Sequence, residues 1–250
     1  MLTLAHLTAP YIRFLHPDVV RAIVEDNVVR SAQWRALLSE RGIDPDLYLW
    51  QGSSCAFPGV RRHAGSREIA NHKTSVKLDI VHAQALAVDD NHYPKSTWSY
   101  ILRGRPFQNQ GPQGYALAHI FDHKAYKNRG HAELDYDGDA VVLHGLFTAV
   151  TNTCYMPVGL IRPTDFGFAL RNLIQRYVAQ LYDGIGCLLP AGLAIKSNAD
   201  VDWQIDKFNW AEPVGTMEHV HTFLEFRAKK VEALMLNVDA ASAPSQGLDD

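Results

Sequence analysis

YALAHIFDHK, residues 115–124, is the stretch on which the fold turns. Tyr115 to Phe121 is apolar enough for a strand, and it delivers Asp122, His123 and Lys124 at its end. Neighbouring side chains on an extended chain point to opposite faces, so Asp122 and His123 serve one site only where the strand ends and bends. Downstream lies GLFTAVTN, residues 145–152, within a run of β-formers that begins at Ala140, and it closes on Asn152. Asp135 to Asp139 contains an aspartate–glycine turn, so a loose hairpin is expected around it. Thr164 then caps a helix from about Asp165 to Tyr182, where Phe166, Leu170, Leu173, Ile174, Val178 and Leu181 follow the helical period. Strand, strand and helix in this order predict an α+β fold, a small hairpin-plus-helix core embedded between helical flanks.

Outward from that core, Pro17 opens a helix carrying Val19, Val20, Ile23 and Val24, and a second helical stretch from Gln33 to Glu40 stops at Gly42. Gly52 to Ser66 reads as an ordered loop, with Arg61 and Arg62 side by side in it and no evident role. Val76, Leu78 and Ile80 alternate with polar residues as a strand does, although the apolar stretch after them equally fits a helix. Asp89, Asp90, Asn91, Pro94 and Lys95 form a polar break before a short apolar segment, Trp98 to Leu102, and Gly104 to Gly114 is a loop. A last helix is expected at about Met217 to Leu236, after Thr216, with a disordered tail from Asp239. The organisation expected is a helical segment over 1–75, a catalytic core over 76–183, a segment packed on it over 184–237, and a tail over 238–250.

At 250 residues, 47% hydrophobic and 20% charged, the chain can bury a large core as one domain. Cys55, Cys154 and Cys187 are odd in number and far apart, so they are expected as buried free thiols rather than a disulfide framework or a zinc site. MLTLAHLTAPYIRF carries no basic leader, and the apolar run from Gly184 to Ile195 is twelve residues long with a proline inside. A cytoplasmic protein without a membrane partner is the expectation. The net charge of −3 does not suggest a nucleic-acid binder, yet Val60 to Gly130 holds eleven Lys/Arg against five Asp/Glu, and six of the twelve histidines. That local excess suits a groove for phosphates.

The series Ala118-His-Ile-Phe-Asp-His-Lys124, a second strand ending in Asn152 and a following helix resembles the HNH family of nucleases, over roughly Tyr115 to Tyr182. The resemblance implies a hairpin and helix around one divalent ion, Mg²⁺ or Mn²⁺ with Zn²⁺ as the other candidate, and a nucleic-acid substrate with DNA favoured. By position it makes Asp122 a metal ligand, His123 the general base, and Asn152 a brace for the loop that bears the histidine. The chemistry agrees. A histidine with a neutral ring nitrogen near pH 7 can deprotonate water, and a carboxylate-held cation offsets charge on the phosphate. The family's third motif residue falls near Ile161, which is no ligand, so Asp165 or Asn172 on the helix stands in for it. The His123-to-Asn152 interval is long, and the paired cysteines of many relatives are missing. Lys124, Lys127 and Arg129 follow the base, and with Arg103 and Arg105 they are candidates for phosphate contacts.

Other residues carry alternatives. His119, four before His123, would share a helical face with it in a zinc hydrolase completed by His131 or His144, but Ile120 stands where a zinc protease needs glutamate. His119 otherwise supports the site from behind. His219 and His221 are two apart and face different ways on a helix, and Asp89 and Asp90 are explained by turn chemistry. The phosphate-loop, dinucleotide and serine-elbow motifs are absent. A competing class is a non-catalytic nucleic-acid or protein-binding module that keeps the hairpin shape.

Overall fold

The computed structural model describes residues 1–63, 84–108, 111–121, 136–137, 142–161, 168–196 and 203–242. The fold is α+β. Helix α1 spans Leu2–Thr8 and α2 Pro17–Glu40. Proline sits in the first turn of α2, and the His16 ring accepts from the Asp18 amide at 3.2 Å. No glycine or proline intervenes between Val19 and Gly42, so the two helical stretches expected here form one 24-residue helix. Its buried stripe, Val20, Ile23, Val24, Asn27, Trp34 and Leu38, steps largely by three, four or seven residues as an amphipathic helix requires.

The stretch expected as a loop over Gly52–Ser66 contains a short strand, β1 (Val60–Arg62), paired in parallel with β2 (Ala87–Asp89). Helix α3 (His92–Arg103) comes next, which corrects the short reading of Trp98–Leu102. Asp89 opens it by accepting from the Tyr93 amide at 2.8 Å, and Gly104 ends it at a φ of +67°. Strand β3 (Tyr115–His119) lies where the sequence placed it, and pairs antiparallel with β5 (Thr153–Pro157). Between them, β4 (Tyr136–Asp137) pairs antiparallel with β6 (Ala194–Ile195). Helix α4 spans Phe168–Leu181, and α5 spans Val220–Ser242 after a single 3₁₀ turn at Met217–His219. The last helix therefore continues past Asp239, where a tail was expected. The Val76–Ile80 segment, the Asp135 and Gly138–Asp139 part of the turn, the start of the Asp165 helix and residues 243–250 lie outside the described residues.

The run 145–152 is the clearest departure from the sequence reading. It forms two 3₁₀ turns, His144–Phe147 and Val150–Asn152, and β5 starts only at Thr153. Its hydroxyls bond a distant loop instead of a neighbouring strand. Thr148 Oγ1 accepts from the Phe57 amide at 3.2 Å, and Thr151 Oγ1 lies 2.7 Å from Ser54 Oγ. Gly145 rests on the Tyr48 backbone, where an added Cβ would stand 2.7 Å from both the α-carbon and the carbonyl oxygen.

One apolar core runs from Ala5 to Met235 and takes residues from every helix. Its polar centre joins α2, α5 and the 53–56 loop. Arg227, fully buried, donates through Nε (3.1 Å) and Nη2 to Asp26 and through Nη2 to Asn27 Oδ1 at 2.9 Å. Asn27 in turn donates to the Ser53 and Cys55 carbonyls at 2.7 and 3.1 Å. Among the described residues no helix is long and apolar enough to cross a membrane.

Candidate functional site

The β3–β5 ladder ends at the pair His119 and Thr153. One more rung lies beyond it, from the Ile120 amide to the Asn152 carbonyl at 3.0 Å, and there the Asn152 side chain takes over. Asn152 is fully buried. Its Oδ1 accepts from the Ile120 and Phe121 amides at 3.2 and 2.6 Å, and its Nδ2 donates to the Phe121 and Leu146 carbonyls at 3.3 and 2.7 Å. From α4, buried Gln175 donates to the Ile120 carbonyl at 3.1 Å. The two residues directly before Asp122 are thus held by a side-chain amide from each side. A backbone pinned this way has little freedom to reorient the residues attached to its end.

His119 is half-buried. Its ring stacks on Phe147 at 5.5 Å, and Nε2 donates to the Phe147 carbonyl at 3.0 Å, so it braces the strand end and that nitrogen is not open to a metal. Asn172, one turn before Gln175 on α4, donates through Nδ2 to the Lys196 carbonyl at 2.6 Å, and it too is buried. Asp122, His123, Lys124, Lys127, Arg129, His131 and Asp165 lie outside the described residues. Among the described residues no three His, Cys, Asp or Glu side chains converge as a metal-binding group.

The sequence reading missed a basic cluster beside the strand end. The Arg62 guanidinium lies 5.9 Å from the Phe147 ring that His119 stacks on, and it donates to Asn91 and pairs with Asp90 Oδ1 at 2.5 Å. His63 Nε2 approaches the same oxygen at 3.3 Å. Burial pushes the Arg62 guanidinium down from its ordinary value, and Asp90 opposes that shift. Arg61 is also buried, donating to the Arg62 carbonyl at 2.9 Å. Burial first, and then the Arg61 charge, drive the His144 imidazole down to about 4, so that ring is neutral at pH 7. The adjacent Arg61–Arg62 pair and the local basic excess that begins at Val60 were the cluster's signals in the sequence. Gln175 left a fainter one, an amide directly beside the apolar Leu173 and Ile174 of α4.

Arg103 and Arg105 sit at the other end of α3, both exposed, about 18 Å along the helix from its start. Arg103 opposes the burial that raises the Tyr155 hydroxyl to about 12. His219 and His221 do not converge: His219 Nε2 lies 3.9 Å from Glu218 and His221 Nε2 3.1 Å from Glu225. Asp89 is buried, which raises its carboxyl. Cys55 and Cys154 are buried as expected, whereas Cys187 is exposed, on a run that buries Leu189 but leaves the cysteine at the surface. Comparisons with protein-family models, with curated proteins and with solved structures return no match.

Proposed function

We propose that this chain is a metal-dependent endonuclease of the HNH kind, which hydrolyses nucleic-acid phosphodiesters, DNA foremost, with His123 as general base. The observation that carries the reading is Asn152. Its side chain binds both amides and one carbonyl of Ile120 and Phe121, as a brace for the loop beginning at Asp122 must. Gln175 adds that the helix after the second strand packs across the strand end, the side from which a third ligand has to come.

Asp122, Asp165 and the Asn172 amide oxygen are oxygen donors, the set a hard divalent cation such as Mg²⁺ or Mn²⁺ takes. Such an ion would supply charge stabilisation for the phosphate and the leaving oxygen. The protein's own part is to fix geometry and move a proton. Asn152 and Gln175 fix the backbone, His123 takes the proton of the attacking water, and Arg62 with Lys124, Lys127 and Arg129 attracts the phosphates. The free thiols suit a reducing, cytoplasmic setting.

A metal titration of plasmid nicking tests this. Asp122→Asn should shift the metal dependence to higher concentration while leaving nucleic-acid binding intact. Of Asp165→Ala and Asn172→Ala, one should lose activity at near-parent stability. An unchanged titration in Asp122→Asn removes the ligand assignment.

A further inference from the structure

An open groove runs between α3 and the loop after it, walled by Lys95, Trp98, Arg103, Phe107 and Tyr155, with no acidic side chain among the described residues that line it. It is open to solvent rather than enclosed, so it suits a chain segment laid across it better than a small molecule buried in it. The Lys95 ammonium lies 5.2 Å from the half-buried Phe107 ring, and the His92 ring meets Phe107 edge-on at 6.2 Å. Two cations and an aromatic face in one groove match the alternation of phosphate and base along a single strand.

The helix that walls the groove is also tied to the strand end by packed side chains. His119 and Arg62 meet at Phe147, Arg62 donates to Asn91 at the start of α3, and His92, Phe107 and Lys95 come after it. The exposed carboxylate on this path, Asp90, is already paired with Arg62 and His63. On the far wall, Trp98 donates to Thr153, the residue paired with His119.

We infer that this groove binds an unpaired DNA strand, with Lys95 and Arg103 contacting phosphates and Phe107 stacking on a base. That the bound strand is DNA rests on the nuclease reading, whereas the binding chemistry of the groove does not. In duplex DNA the base faces are stacked on one another, so a stacking aromatic selects for unpaired DNA.

The test is fluorescence anisotropy in EDTA, with a labelled single strand of about twenty nucleotides, longer than the roughly 4–16 that one binding fold covers, and the matching duplex, on the full chain. The parent should prefer the single strand. Phe107→Leu, which keeps apolar packing, should weaken that binding on the order of ten-fold, and Phe107→Tyr should restore it. Lys95→Gln should lower the slope of log Kd against log salt by about 0.7, the value for one phosphate contact on a single strand. Equal affinity for duplex and single strand, no binding by the parent, or folded Phe107→Leu and Lys95→Gln variants that bind as the parent does would each overturn the inference. Metal-dependent cleavage is scored separately on the same proteins. Variant-sensitive binding without any cleavage leaves the groove standing and removes the nuclease reading; cleavage with variant-insensitive binding does the reverse.

Discussion

Asn152→Ala should cost both stability and activity, and the structure sets the size of each effect. The side chain is fully buried and makes four hydrogen bonds, to the Ile120 and Phe121 amides and the Phe121 and Leu146 carbonyls. The Ile120 amide keeps its bond to the Asn152 backbone carbonyl after truncation, so it counts for least. Three buried bonds at about 1 kcal/mol each give a loss of about 3 kcal/mol. That is a large share of the roughly 5–15 kcal/mol that separates a typical folded chain from its unfolded state. Urea denaturation at pH 7 reads it directly. Asn152→Asp should be no milder, because it turns an oxygen toward the Leu146 carbonyl, where the amide nitrogen now stands at 2.7 Å. At a temperature where Asn152→Ala is fully folded, cleavage should still fall about 100-fold, since misplacing a reacting group by about 1 Å has that effect. An alanine variant within about 1 kcal/mol of the parent, the worth of a single bond, and equally active would refute the idea that this amide holds the strand end.

Asp26→Ala leaves the buried Arg227 guanidinium without its carboxylate, and should cost about 3–5 kcal/mol in denaturant; a loss under about 1 kcal/mol would contradict the buried pair. His144 has its ring held down to about 4 by burial and by Arg61, so the unfolded chain binds more protons there between about pH 6.5 and 4. Its contribution to stability is therefore complete above that window and is lost as pH falls through it, by about 2 kcal/mol at pH 5. Urea titrations at pH 7.5 and 5 should show this loss for the parent and a smaller one for His144→Phe. A thiol reagent at pH 8 should label Cys187 at once and reach Cys55 and Cys154, both buried with thiols pushed up to about 12, only on unfolding. Three equally fast thiols would contradict that burial.

Local pattern carried the α+β class, strand β3, and helices α2, α4 and α5, because each is built from its own apolar period. The same logic failed at 145–152. Thr148, Val150 and Thr151 have the composition of a strand, but their hydroxyls, the Val150 amide and the Thr148 carbonyl bond Ser54, Ala56 and Phe57 some ninety residues earlier. Such partners are set by tertiary contact and leave no trace in local sequence. Arg61 and Arg62 were visible as a pair but not as a cluster, since Asp90, Asn91 and Phe147 come to them only in the fold. Asp26 and Asn27 went unnoticed beside the apolar stripe of α2, although polar residues there ask for a buried partner, and Arg227 supplies it. The role of Asn152 entered by resemblance alone, and its hydrogen bonds to Ile120 and Phe121 accord with that role.

The most direct test of the nuclease reading is a plasmid-nicking time course with Mg²⁺ or Mn²⁺, run on the parent and on His123→Ala. The parent should cut with metal and stop in EDTA. His123→Ala should cut about 10²- to 10⁴-fold more slowly, the usual loss for a removed general base, with an unchanged melting temperature. A parent that never cuts, or a His123→Ala protein that cuts at the parent rate under the same metal and salt, would contradict it.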